Sequence, residues 1–322
     1  MLHSSDFQPP WWLSNAHLQT LWPFLFRPRP RLALRRERLE LPDGDFLDLD
    51  FTLNEAGPVV LVLHGLQGSV RSKYAAGLLH ALATHGYRAV LMHFRGCSGE
   101  PNRLPHSYHS GETGDPAFVI EFLRNRFPGA PLAAIGFSLG GNALLKLLAE
   151  QGAGSPLRTA VAVSVPFLLN EGADKFNRGL SRIYRQYLLG SLIRSVMDKH
   201  NKIDLSGKIN LELIQGCNDF WVFDHEVTAR LNGFKDVHDY YRRSSSRGYL
   251  HLIKTPTLIL HAEDDPFMRP ATVPRNDELS PSVRLELSKH GGHVGFVTGN
   301  NPFQMRYWLD ERILQHLNDH LR

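Results

Sequence analysis

Ser138 lies in "GFSLGG" (136–141), a G-x-S-x-G pattern where an apolar run gives way to a helix-like one. Glycines at those positions allow a strained strand-to-helix turn that pushes the hydroxyl out of the backbone. The helix that follows aims its first N–H groups at any negative charge developing there. A serine hydroxyl is a weak nucleophile unless a base and an orienting acid accompany it. In a strand–turn–helix setting of this kind the order along the chain is Ser, then Asp or Glu after a later strand, then His. "LILHAEDDPF" supplies the acid. Asp265, three residues past Ala262 at the strand tip, is the first candidate, and Asp264 is the alternative. "LELSKHGGHVGF" supplies the base. His293 follows two glycines in a loop able to swing over the nucleophile, whereas the competing His290 lies nearer the strand. An oxyanion needs two backbone donors. Leu139, the residue after the nucleophile, offers one N–H. Leu66 in "HGLQGS" offers the other, with Gly65 and Gly68 allowing close approach and His64 bracing the loop.

Other chemistry-bearing residues weigh less. "HSYH" (106–109) and "HGGH" (290–293) hold His pairs three apart, but no carboxylate or Cys third ligand stands at a recognisable metal spacing. No metal and no cofactor are expected. Cys97 in "FRGCSGEP" has no base assigned to it, and that loop is expected at the rim of the site. Asp-nucleophile chemistry such as epoxide hydrolysis or dehalogenation is disfavoured, because the elbow carries Ser.

Those residues need a scaffold. "RRERLEL", the turn "PDGD" and "FLDLDF" predict a hairpin whose second arm alternates apolar residues with Asp, so that one face is wet. "PVVLVLHG" is a β-branched run of the kind buried in a parallel sheet. Strand and helix signals then alternate: a helix over 73–85, "YRAVLMHFRG", a helix over 114–126, "PLAAIGFS", "LGGNALLKLLAEQG" and "RTAVAVSVP". The alternation implies a mostly parallel, doubly wound sheet with helices on both faces. Between 167 and 250 the apolar spacing becomes helical, which predicts a cap inserted over one end of the sheet. Some of its aromatics (Phe167, Tyr184, Tyr187, Phe220, Trp221, Phe223) are expected to line an apolar acyl or alcohol pocket. "TPTLILHAEDDP", "SVRLELSKHGGH" and a helix from Pro302 onward complete a single domain over 1–322.

Together "NAHLQTLWP", "HGLQGS", "FRGCSGEPNRLPHSYHSGET", "GFSLGGN", "HAEDDPF" and "GGHVGF" resemble the α/β-hydrolase superfamily over nearly the whole chain. More narrowly they are similar to its YheT-like group, related to ABHD1/2/3-type hydrolases and EMB8-type plant proteins. The resemblance implies an α/β-hydrolase fold, a Ser138–Asp265–His293 triad and an esterase or lipase-like activity. Similar animal proteins carry an N-terminal membrane anchor and act on lipid esters; this sequence shows no such anchor. The expected function is hydrolysis of a small-molecule or lipid-like ester through an acyl-enzyme. The alternatives are an acyltransferase or thioesterase using the same triad, and a binding protein that has lost catalysis on this fold.

Composition agrees with a globular domain: 322 residues, 42% hydrophobic, 21% charged, with two cysteines and a formal charge of +4. No nucleic-acid-binding signature accompanies the small positive charge. "RPRPRLALRRER" (27–38) is expected as a solvated loop and edge strand, with peripheral contact to an anionic membrane or acidic partner as the other reading. The aromatic arm over 1–34, with Trp11, Trp12 and Trp22, is broken by Pro and polar residues, so it predicts neither a membrane span nor a signal peptide. A cytoplasmic location follows from that. Trp11, Trp12, Trp22 and Phe24 are expected to be buried as the arm packs back on the body, helping to wall the substrate entrance.

Overall fold

Short β-branched runs become the central strands because both their faces find a helical layer to bury against. In the computed structural model, which describes residues 1–321, β1 (Leu2–Ser4) and α1 (Ala16–Phe26) precede the hairpin β2 (Leu34–Glu40) and β3 (Phe46–Thr52). β4 (Val59–Leu63), α2 (Lys73–Thr84), β5 (Arg88–Met92) and α3 (Gly114–Arg126) follow. Then come β6 (Leu132–Phe137), α4 (Leu139–Gln151) and β7 (Thr159–Val163). The insertion holds α5 (Leu169–Phe176), α6 (Ser181–His200), α7 (Leu211–Gln215), α8 (Phe220–Phe223), a π-helical turn (Asp224–Ala229) and α9 (Val237–Ser244). β8 (Thr257–Ala262), β9 (Val283–Ser288), the small pair β10 (Val297–Thr298) and β11 (Arg306–Tyr307), and α10 (Trp308–Leu321) end the described chain.

Nine strands form one sheet in the order β1-β9-β8-β7-β6-β4-β5-β3-β2. From β1 across to β5 every pairing is parallel; at the other edge β3 runs antiparallel both to β5 and to its hairpin partner β2. Alternate residues of β4 serve opposite faces. Leu61 and Leu63 pack with Val119, Leu144 and Leu148 of α3 and α4. Val60 and Val62 pack with Leu78 and Leu82 of α2 and Ile313 and Leu317 of α10. Each such burial contributes roughly 1.5–3 kcal/mol. The insertion has its own apolar cluster, including Leu189, Ile214, Phe220, Phe223 and Tyr240.

The topology also locates a crevice. β5 lies on one side of β4 and β6 on the other, so the loops leaving the C-terminal ends of β4 and β6 diverge. Ligands bind at such a switch point in open α/β sheets.

Several expectations needed correction. Asp48 and Asp50 do not face water; each is 3% exposed. The register sets Arg36 opposite Asp50 and Arg38 opposite Asp48, and each arginine grips its partner through two nitrogens at 2.8–2.9 Å. Arginines from the edge strand thus take the place of solvent. The last helix starts at Trp308 rather than Pro302, because Arg306 and Tyr307 pair instead with Thr298 and Val297. β1 carried no readable pattern, being three residues long; it adds to β9 in parallel.

The arm is the largest correction. It does return to the body, burying Phe7, Leu13, Gln19, Pro23 and Arg27. Trp12 and Trp22 are only half-buried, and Trp11 and Phe24 are 85% and 54% exposed. Polar Gln19, rather than the tryptophans, is the fully enclosed residue.

Candidate active site

Ser138 connects β6 to α4 at φ 51° and ψ −116°, a left-handed backbone that costs a non-glycine residue of order 1–3 kcal/mol. The flanking glycines are required by contact. A Cβ on Gly136 would meet the Gly140 oxygen at 2.4 Å, and one on Gly140 would meet the His64 oxygen at 2.5 Å. The Ser138 N–H donates to the Val163 carbonyl at 2.8 Å, which ties the turn to the neighbouring strand.

His293 Nε2 lies 3.1 Å from the Ser138 hydroxyl oxygen, and His293 Nδ1 lies 2.8 Å from Asp265 Oδ2. The other Asp265 oxygen accepts the Phe267 N–H at 2.8 Å. A buried carboxylate on Nδ1 favours the tautomer that leaves Nε2 free to accept the serine proton. The Phe267 ring stacks on the imidazole with centroids 4.0 Å apart and limits its rotation. Asp264 and His290, the competing pair, form a separate contact of 3.4 Å, while Asp264 Oδ1 accepts the Gly292 N–H at 2.9 Å. Burial raises the Asp264 carboxyl pKa. That pair holds the base of the loop and does not reach Ser138.

The loop after β4 touches Ser138: a Cβ on Gly65 would lie 3.3 Å from the Ser138 Cβ. Its N–H groups are mostly committed. Gly65 donates to the Tyr74 hydroxyl at 2.8 Å and Gln67 to the Tyr108 hydroxyl at 2.9 Å. Among the described residues the Leu66 N–H has no acceptor, and the Leu139 N–H, first in α4, has none within the helix. Burial lowers the His64 pKa to about 3. The neutral ring bonds Gly65 O at 2.7 Å through Nδ1 and accepts the Phe94 N–H through Nε2 at 3.2 Å. It braces the loop and cannot act as a base while so occupied.

Two residues escaped sequence reasoning. The Thr20 hydroxyl on α1 accepts the His293 N–H at 2.9 Å and donates to Ala16 O at 2.8 Å. Gln19 accepts the Val297 N–H at 2.8 Å and donates to Val297 O at 2.9 Å and Leu13 O at 2.8 Å. The arm therefore grips both ends of the His293 loop. That loop is strained, with Val294 at φ 56° and Phe296 at φ 47°. Gly292 and Gly295 make the contact possible, since a Cβ on either would clash with Ala16 O or Gln19 O at 2.5 and 2.3 Å. The glycines of "GGHVG" were the available signal; they mark a backbone that another element approaches closely.

A cavity of about 890 Å³ opens over Ser138, Leu66, Leu139 and His293. The insertion contributes Phe176, Tyr184, Tyr187, Phe220 and Phe223, and the arm contributes Leu21 and Phe24. Phe167 and Trp221 do not line it. Phe167 is fully buried, and Trp221 donates to Asp174 at 2.9 Å while packing on Tyr241. One wall is polar. Asp224 accepts the Thr228 and Tyr241 hydroxyls at 2.7 and 2.8 Å, and burial raises its carboxyl to about 6. Burial likewise pushes the Cys97 thiol up to about 12, so it is no nucleophile at neutral pH. His106 and His109 both approach Glu112, at 3.2 and 3.6 Å. Among the described residues no group of three His, Cys, Asp or Glu is gathered as a metal site, and no helix is long and apolar enough to cross a membrane.

A parallel sheet with a serine elbow at its switch point defines an α/β hydrolase. The chain matches the family described as alpha/beta hydrolase fold over residues 58–300, and it belongs to that family. Within it the chain falls in the YheT-like group. It is 44% identical to the YheT protein of Escherichia coli over 99% of this chain and 94% of that one. It is 29% identical to mouse "Phospholipase ABHD3", over 94% of this chain and 76% of the relative, and 29% identical to the yeast "Monoacylglycerol lipase", over 88% and 63%. An esterase of Pyrococcus furiosus shares the fold, with a TM-score of 0.59 at 16% identity, covering 90% of this chain and 94% of the other.

Proposed function

We propose that this chain is a cofactor-free serine hydrolase that cleaves carboxylic esters with an apolar acyl group. The observation that carries the proposal is the hydrogen-bonded line Asp265–His293–Ser138 on the floor of an apolar cavity. Ser138 Oγ attacks the ester carbonyl as its proton passes to His293 Nε2. The oxyanion forms beside the Leu66 and Leu139 N–H groups, which donate to it. Asp265 keeps the imidazole oriented and stabilises its charged form. Collapse of the intermediate expels the alkoxide, which takes the proton from His293. Water then attacks the acyl-Ser138 ester, His293 again accepting a proton, and the carboxylic acid leaves as Ser138 is regenerated.

The names borne by the mouse and yeast relatives, phospholipase and monoacylglycerol lipase, support a lipid-like ester as substrate. A fluorophosphonate probe is expected to label the wild-type protein, and p-nitrophenyl esters of graded chain length to be turned over. Ser138→Ala should abolish labelling and lower kcat/KM at least about 10⁴-fold. Undiminished labelling of a folded Ser138→Ala protein would overturn the assignment.

A further inference from the structure

One face of the molecule joins exposed apolar side chains to unpaired cations, and it rings the mouth of the cavity. α1 and α6 meet there. Phe24 packs edge-on against Tyr187 with centroids 5.7 Å apart, and His17 Nδ1 lies 3.1 Å from the Tyr184 hydroxyl. Phe24, Leu180, Ile183 and Tyr187 line the cavity, yet they are 54, 59, 63 and 60% exposed. Residues that are both cavity-lining and this exposed form its rim. Leu18, Leu25 and Phe26 extend the apolar surface along α1. Single exposed apolar residues are ordinary, but a contiguous group rimmed by charge marks an interaction site.

The charge on this face is mostly positive, with Glu100 and Asp198 the acidic residues that are both exposed and lining the cavity. Residues 7–36 contain no Asp or Glu, residues 175–197 contain none either, and each span carries five Lys or Arg. Arg27, Arg35 and Arg36 of the first span are paired with Asp310, Glu37 and Asp50, which leaves Arg29 and Arg31 unpaired there. Among the described residues no carboxylate pairs with Arg29, Arg31, Arg71, Arg178 or Arg182. Arginines elsewhere, such as Arg38, Arg103, Arg126, Arg247 and Arg312, each hold one. A second copy of the chain fits this surface poorly, because a two-fold contact would set like charges against each other. A bilayer carrying anionic lipid fits both features. Apolar side chains enter the acyl boundary while guanidinium groups stay among the headgroups.

We propose that α1 and the first turns of α6 form a docking surface for an anionic lipid bilayer, with the cavity mouth facing the lipid. Delivery of a lipid ester from the bilayer to Ser138 rests on the hydrolase reading; the docking does not. The test therefore uses the full-length Ser138→Ala protein, which leaves the vesicles intact. Cosedimentation is measured with phosphatidylglycerol–phosphatidylcholine vesicles and with pure phosphatidylcholine vesicles, at low and high salt. Binding to the anionic vesicles is expected, weaker by about tenfold on the neutral ones and in high salt. Adding Arg29→Gln and Arg182→Gln should lower binding about tenfold on anionic vesicles only. Adding Leu25→Ser and Ile183→Ser should lower it on both compositions, with far-UV circular dichroism and melting unchanged. No sedimentation of the parent protein, or equal binding to both compositions, overturns the proposal. So does a dimer in sedimentation velocity that these same substitutions dissociate, which would make a second copy the occupant.

Discussion

At the scale of single residues, chemistry is assigned by which of two neighbours reaches the imidazole. Asp264 and Asp265 are adjacent in sequence, and both follow β8. Only Asp265 bonds His293, while Asp264 holds the Gly292 N–H. Asp265→Asn is expected to lower kcat about 10⁴-fold, because the amide favours the wrong imidazole tautomer. Asp264→Asn keeps an oxygen for Gly292 and should cost less than about tenfold. Steady-state kinetics on one soluble ester compares the two, and a larger loss for Asp264→Asn would reverse the assignment. That Ser138 and His293 would meet was legible because the elbow and the glycine-flanked histidine are local patterns. Asp265 over Asp264 was only a preference until the backbone direction beyond Ala262 was known.

Elements act on the site through what they pin. α1 is remote from Ser138 in sequence, yet its Thr20 hydroxyl accepts the His293 N–H. The loop it holds has two non-glycine residues with positive φ, and strained segments persist only when their surroundings over-determine them. Thr20→Val preserves shape and removes that acceptor. We expect kcat to fall about tenfold with KM little changed, since the base is displaced while the cavity is not. A fall in melting temperature without a change in kcat would instead make the contact purely structural. The arm's tryptophans misled because aromatic bulk suggests burial. The anchoring is done by one amide side chain that satisfies both the N–H and the C=O of Val297, and no hydropathy pattern reveals such a bond.

For the molecule as a whole, stability is tied to pH through the sheet edge. Burial alone would raise the Asp50 carboxyl, but hydrogen bonds from Arg36 and His93 outweigh it and bring it down to about 2. A carboxyl with a lowered folded pKa adds stability above its unfolded value near 4, and that stability is lost as pH falls through about 2. Arg36→Met leaves Asp50 buried with His93 alone. Unfolding by urea should show a loss of about 2 kcal/mol at pH 7, discounted for the half-exposed arginine. The difference from wild type should shrink as pH drops from about 4 toward 2. A difference independent of pH would mean that the arginine acts through packing and not through charge.

Sequence by itself determined the alternation of strands and helices from β2 to β9, the elbow pattern around Ser138 and the family, because these depend on periodicity, glycine placement and contiguous motifs. Helical spacing over 167–250 was likewise readable. Tertiary structure decided which aspartate hydrogen-bonds His293, which loop N–H is left free, and that the arm contacts the histidine loop while exposing some of its aromatics. It also decided that the hairpin aspartates lie under arginines instead of water. Each of these depends on partners far apart in the chain, as Thr20 with His293 or Gly65 with Ser138. No local pattern encodes such a meeting; the sheet topology creates it by bringing the ends of β4, β6, β8 and β9 to one rim.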